Sequence, residues 1–436
     1  MKHANILKGN LKKLCLLSTE WKFSRTFEPH SKYPHTIIEP NIYKNTTMKH
    51  LLTICATALL LALPGGTQAQ KTFSGLDPAR FETQIDGKKT ALYTLRNQYG
   101  LEACITNYGA RLVSLMVPNW NGRFEDIVLG YDNVMDYHTK GQNFGATVGR
   151  YVGRISGPSF MLDGKLYLLQ SDGKGHISHG GKPGFQNRVW DVLEQDRNRL
   201  VLRYVSPDGE NGFPGELTVT LTYTLTEQST LDVDFKATTT KPTVLNLTNH
   251  SFFNISGDLT RDVLSQNLWI DSRRIATYDS NKNVNGKFLV VHHTPFDFTK
   301  PRQIGERIDM DHPQLKITGG YDHAFVLRHP GDISKPSAIV YDAQSGRTLT
   351  VYTTEPALQV YTGNGLKGNQ VGKEGIKYQR RTGLCLETQH LADAPNKQHF
   401  PSTVLRPGET WHSKTVFKFT TDPPVMKGVP QAASKK

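Results

Sequence analysis

The chain has 436 residues, enough for one large domain or two ordinary ones, and its 37% hydrophobic and 21% charged residues exclude a disordered or fibrous protein. Plentiful Gly (38) and Pro (23), together with 17 Tyr and 19 Phe, favour a turn-rich β protein over a helical one. The formal net charge of +13 is no nucleic-acid signal: +6 of it sits in residues 1–69, and the remaining +7 forms no dense Lys/Arg stripe with interleaved aromatics.

In chain order, residues 1–47 show no clear periodicity and are read as an upstream extension outside the fold. From Met48 the chain reads MKHLLTICATALLLALPGGTQAQ. Lys49 and His50 make a basic start, Leu51 to Leu63 is an apolar run, and Thr67-Gln68-Ala69 ends in the small residue preferred at a signal cleavage site. The run is short for a permanent anchor, so residues 48–69 are read as a secretory signal peptide, with translation starting at Met48. A lipoprotein reading through Cys55 fits poorly, because that Cys lies early in the run with no small residues before it. The protein is then exported, periplasmic or extracellular. The mature chain keeps Cys104 and Cys385. An oxidising compartment would permit their pairing, whereas isolated Cys are more commonly buried thiols. No CxxC or Cys/His spacing points to zinc.

Beyond residue 70 the hydrophobic period is two. Phe160–Leu162 and Lys165–Leu168 flank Asp163-Gly164, a strong hairpin signal. A turn cluster, SPDGENGFPG (206–215), precedes GELTVTLTYTLTE (215–227), in which Leu217, Val219, Leu221, Tyr223 and Leu225 alternate with Thr. That pattern predicts a half-buried antiparallel strand, and Leu231, Val233, Phe235 and Ala237 repeat it. No segment shows a long capped 3.6-residue period. Residues 70–436 are therefore read as a single all-β domain, a large sandwich spanning about 72 to 422, with a frayed tail from Pro423.

Alternation also sorts the polar residues into faces. In TVLNLTNHSF (243–252), Asn246, Thr248 and His250 share one face and Leu245 and Leu247 the other, which predicts a lined cleft. Phe252 and Phe253 argue against full exposure. In GLCLETQH (383–390), Glu387 shares a face with Cys385 and Gln389, and apolar neighbours would raise its pKa towards the range of a base. His179 stands in His-Gly-Gly, Asp322 in Gly-Gly-Tyr-Asp-His, and Arg150 and Arg154 flank Tyr-Val-Gly. Each of these alone is more commonly structural than functional.

The series NYGARLVSLMVP (107–118), FGATVGRYVGRISG (144–157), HGGKPGFQNRVW (179–190), DGENGFPGEL (208–217), LNLTNHSFFN (245–254), GGYDHAFVL (319–327), LQVYTGNGL (358–366) and LETQHLADAPN (386–396) resembles the aldose 1-epimerase, or galactose mutarotase, family. The blocks keep the family's order and span nearly the whole mature chain. The resemblance implies a large antiparallel β-supersandwich of the galactose mutarotase-like kind, with a sugar cleft across one sheet. It implies that His250 is the general acid and Glu387 the general base. It also implies that Arg154, His179, Asp322 and Gln359 bind the sugar. Many members carry Asn-Arg where this chain has Gly153-Arg154, which removes an amide contact. The expected partner is a small-molecule aldose, with no cofactor, no metal, no nucleic acid, no stable membrane span in the mature protein, and a monomer favoured. The rival readings are a non-catalytic carbohydrate-binding relative, a hexose-phosphate 1-epimerase needing a cationic cluster, and a glycosidase using Asp322 and Glu387 as paired carboxylates.

The leader reading is checked by N-terminal sequencing of the exported protein, which is expected to begin at Gln70. A product that retains residues 48–69 outside the cell contradicts it.

Overall fold

A computed structural model describes residues 72–171 and 173–421. The extension, the leader and the tail from Pro423 lie outside the described residues.

The alternating Thr-rich segment does form a strand, Leu217–Leu225, whose five apolar side chains are buried while every intervening Thr is partly exposed. It pairs along its whole length with Thr230–Thr239, and Leu221 lies opposite Phe235. These two strands sit inside an antiparallel nine-stranded sheet that runs from Asp191–Gln195 at one edge to Arg302–Gln303 at the other. A six-stranded antiparallel sheet follows the order Phe252–Phe253, Leu384–Gln389, Ala357–Tyr361, Asp322–Leu327, Ser272–Tyr278 and Val284–Val290. A four-stranded sheet, Leu92 to Asp126, completes the large layers.

One apolar cluster joins all three. It takes Leu217, Val219 and Leu221 from the nine-stranded sheet, Leu358, Val360 and Leu386 from the six-stranded sheet, and Leu112 and Leu115 from the four-stranded sheet. Strands such as Leu217–Leu225 are amphipathic and stack on their apolar faces, whereas Glu102–Thr106 and Arg111–Pro118 are buried on both faces, with Cys104 and Val113 in a second apolar cluster. The Asp163-Gly164 hairpin forms with the expected register, Lys165 opposite Leu162.

Helix is confined, among the described residues, to two α-helices, Val134–Lys140 and Pro313–Thr318, and short 3-10 turns. The first is capped by Asn133, whose side chain accepts from the Asp136 amide at 2.8 Å. It stops at Gly141, which holds a left-handed conformation with φ 69°. The chain after that stop is delivered to the rim of the cleft described below.

The segment 243–252 departs from the expectation of one continuous strand. It breaks into Thr243–Val244, Thr248–His250 and Phe252–Phe253. Each piece pairs with a different partner: Val404–Leu405, Ala146–Val148 and Leu384–Gln389 respectively. Three partners in so short a segment force the chain to turn between them, and period-two alternation cannot reveal such switching.

Leu221 is fully buried between the sheets. Leu221→Ala is expected to lower unfolding stability by about 2–5 kcal/mol, and Thr220→Ala by less than about 0.5 kcal/mol. Denaturant midpoints at constant slope measure both.

Candidate active site

Strand register builds the floor of the site. On the six-stranded sheet Glu387 lies directly opposite Gln359. Gln359 in turn faces Ala324, two residues along from Asp322 on the same side of the strand. The Gln359 side-chain amide therefore reaches Asp322 and donates to Oδ1 at 2.7 Å. The Tyr278 hydroxyl lies 3.5 Å from Gln359 Oε1. Leu358, Val360, Leu384 and Leu386 point the other way, into the core.

His250 comes from the short strand Thr248–His250. Its Nε2 lies 3.5 Å from Glu387 Oε1, and its Nδ1 lies 3.6 Å from the thiol of Cys385. The ring stacks on Phe252 with centroids 5.1 Å apart and meets His179 edge-on at 5.8 Å. His179 and Arg154 arrive together, because Arg154–Ser156 pairs with His176–Ser178. His179 then adopts a positive φ of 52°. The next residue must be Gly: a Cβ on Gly180 would stand 2.0 Å from the Gly149 carbonyl. Arg154 donates from Nη1 to the Lys282 carbonyl at 3.2 Å.

These groups line one cavity of about 420 Å³, within the range of small-molecule sites. His250, Glu387, Arg154, His179, Asp322 and Gln359 all border it. Three polar atoms of its lining residues are buried without a protein partner, Arg154 Nε, His179 Nδ1 and Gln389 Oε1. A polyhydroxylated ligand would satisfy such atoms.

Burial governs the electrostatics. It pushes His250 down to about 4, and the Arg111 charge adds to that effect. It pushes His179 down to about 3, with His250 and Arg154 contributing. Burial raises Asp322 despite Arg154 nearby. Burial and the neighbouring Asp322 raise Glu387 well above the usual carboxylate range. Both members of the His250–Glu387 pair are thus driven from their charged forms.

All six residues expected from the sequence meet at this cavity. Other expectations need correction. Asn246 and Thr248 do not line it: Asn246 donates to the His390 carbonyl at 3.0 Å and Thr248 to the Thr388 carbonyl at 3.0 Å. They brace the strand carrying Glu387 from the side. Arg150 is also absent from the cavity. Its guanidinium is buried against Pro214 O, Gly215 O and Ser206 Oγ. Cys104 and Cys385 need no such correction: both are free buried thiols, the more common state of isolated Cys, and they do not pair. Gly153 has φ 79°, and a Cβ there would come within 2.6 Å of Ala392 Cβ. The missing Asn amide is therefore excluded by local packing.

Tyr278, Tyr361 and Asn143 also border the cavity, and none of them stands out in the sequence. Tyr361 was accessible by alternation, two residues beyond Gln359. Asn143 lies in a loop and carries no periodic signal. His250, Cys385 and Glu387 place one donor atom each within 4.8 Å of one another, and are the described residues best placed to hold a metal ion.

Comparison with known proteins agrees with this geometry. The sequence profile of the family described as aldose 1-epimerase matches residues 91–418. Galactose mutarotase of Bos taurus is 39% identical over 322 residues, covering 73% of this chain and 91% of the relative. Aldose 1-epimerase of Escherichia coli K12 is 35% identical over 339 residues, covering 77% and 97%. The solved structure of galactose 1-epimerase from Lactobacillus acidophilus superposes with a TM-score of 0.69 at 27% identity, covering 78% of this chain and 96% of that one. Sequence match, sheet order and the residues gathered at the cleft together place this chain in the aldose 1-epimerase family.

Proposed function

We propose that the protein interconverts the α and β anomers of free aldohexoses such as glucose and galactose. The observation that carries this reading is the His250–Glu387 pair, with Nε2 and Oε1 3.5 Å apart on the floor of a sugar-sized cavity.

Anomer exchange needs a proton taken from the C1 hydroxyl and another given to the ring oxygen. The ring opens to the aldehyde, rotation about C1–C2 turns the carbonyl, and closure gives the other anomer. Glu387 is the base and His250 the acid, and their roles reverse on closure. Burial draws the shared proton towards Glu387, so the reacting arrangement, carboxylate beside imidazolium, is the minor protonation state of the pair and a reactive one. A carboxylate whose pKa is raised is a stronger base, and an imidazolium whose pKa is lowered is a stronger acid. Burial excludes water, so the pair works as a unit carrying one exchangeable proton. A single proton supports turnover because each half-reaction returns what the other consumed.

The remaining groups hold hydroxyls. Asp322 is fixed by Gln359 and accepts from neighbouring hydroxyls, while Arg154 presents its unpartnered Nε. A sugar lacking a matching hydroxyl leaves a buried group unpaired. The displacement of Arg150 from the cavity removes one of the two cations that a phosphate-binding reading had available. The leader at 48–69 supports an exported enzyme.

Glu387→Gln and His250→Asn are each expected to lower the catalysed rate by roughly 10²–10⁴-fold, with the circular dichroism spectrum unchanged. Polarimetry on fresh α-glucose and α-galactose, corrected for spontaneous mutarotation, measures this. A folded protein that binds sugar without accelerating exchange would support the carbohydrate-binding rival.

The pH dependence has a definite sign. As pH falls through about 4, the value of His250, a second proton fills the pair and no base remains, so kcat/KM drops. As pH rises through the elevated Glu387 value, the shared proton is lost, no acid remains, and kcat/KM drops again. A rate that climbs steadily with pH would show that the carboxylate works alone.

A further inference from the structure

Arg111 opens the strand Arg111–Pro118 and is 1% exposed. Among the described residues no carboxylate pairs with it. Its guanidinium instead directs its donors to three carbonyls: Nη1 to Gln142 O at 3.0 Å and Phe144 O at 3.1 Å, and Nη2 to Gln186 O at 2.7 Å. The rings of Tyr137 and Tyr108 lie 5.0 and 5.7 Å from its central carbon. A buried cation without a counter-charge carries a large desolvation cost, and an apolar side chain would pack there with less penalty.

What the three carbonyls have in common is the active site. Gln142 and Asn143 border the cavity. Beside Phe144, the Gly145 amide donates to the His250 carbonyl at 3.0 Å and the Gly145 carbonyl accepts from the Leu112 amide at 2.9 Å. A Cβ on Gly145 would stand 1.9 Å from the Leu112 carbonyl, so the loop and the strand are in close backbone contact there. On the other side, Gln186 donates from Nε2 to the His179 carbonyl at 3.3 Å. One planar fork therefore ties together two separate loops, one backing His250 and the other carrying His179.

We propose that Arg111 is a positioning residue for anomer exchange, in which one buried guanidinium fixes the loops that present Asn143, His179 and His250. This rests on the reading of His250 as the general acid. The titratable groups in contact with His250 are Glu387 and Cys385 from the strand Leu384–Gln389, His179 from its loop and the Tyr361 phenol. The Arg111 charge, held beyond these contacts, adds to the lowering of His250 by burial. The cation disfavours a second positive charge on His250, so it makes the protonated imidazole quicker to release its proton.

The test uses the full mature enzyme with Arg111→Met, Arg111→Lys and, as a reference, His250→Asn. kcat and KM on glucose are measured across pH, with folding followed by circular dichroism. Arg111→Met is expected to lower kcat by roughly 10- to 100-fold, as for groups that orient a reacting side chain. It also moves the acid limb of the pH profile upward, because the repelling charge is gone. Arg111→Lys keeps the charge but cannot reach three carbonyls with one fork. Its acid limb stays in place while kcat falls. A folded Arg111→Met enzyme with the wild-type acid limb overturns the electrostatic part. If that variant does not fold, Arg111→Lys decides: wild-type kcat and KM in it overturn the proposal. Should His250→Asn keep the wild-type rate, the acid assignment is at fault and not Arg111.

Discussion

Two ionisable side chains from distant parts of the chain share one floor from which water is largely excluded, and the rest of the structure follows from that requirement. Residue 387 is placed by strand register. Residue 250 is placed by a short broken strand held between two other segments. Neither placement tolerates slippage, because a shift of one residue would send the carboxylate into the apolar core. Desolvation penalises each charge by several kcal/mol when it stands alone. Sharing a single proton removes much of that penalty and leaves both groups primed for transfer.

The same logic appears away from the cleft. Arg150, Arg347 and Lys373 are all buried and bind backbone carbonyls: Arg150 those of Pro214 and Gly215, Arg347 those of Val117 and Ser256, Lys373 those of Val113 and Val128. Arg347 adds Glu125 at 2.7 Å and Lys373 adds Asp126 at 2.6 Å. Turns that join wide sheets leave carbonyls without ladder partners, and long cationic side chains satisfy several at once. Rigid loops result, and rigid loops are what a cleft built from many segments needs.

Much of this was readable beforehand. The Thr-rich alternation of Leu217–Leu225, the hairpin at Asp163-Gly164 and the faces of Leu384–Gln389 all follow from period-two reasoning. Alternation and turn context singled out five of the cleft residues one by one, while Gln359 and the grouping of all six followed from resemblance, since spacing alone could not unite residues 154 and 387. What escaped was long-range. Asn246 and Thr248 share the parity of His250 yet bond sideways to a neighbouring strand's carbonyls, because the segment changes partners every few residues. Arg150 is four positions from Arg154 and looks equivalent in the sequence, but the turn at Tyr151–Gly153 sends the two side chains to different sides. Tyr361 obeyed the same alternation as Gln359 and needed only to be counted.

The contact between Gly153 and Ala392 carries a consequence for how this enzyme can diversify. A side chain at 153 needs both a left-handed backbone and the retreat of the loop that begins at Leu391. That loop also carries Asp393, which accepts from the amide and hydroxyl of Ser156 at 3.0 and 2.6 Å. Movement at 392 would therefore disturb the very strand that delivers Arg154. The two positions are locked as a pair, and lineages that exchange one are expected to have exchanged the other in the same step.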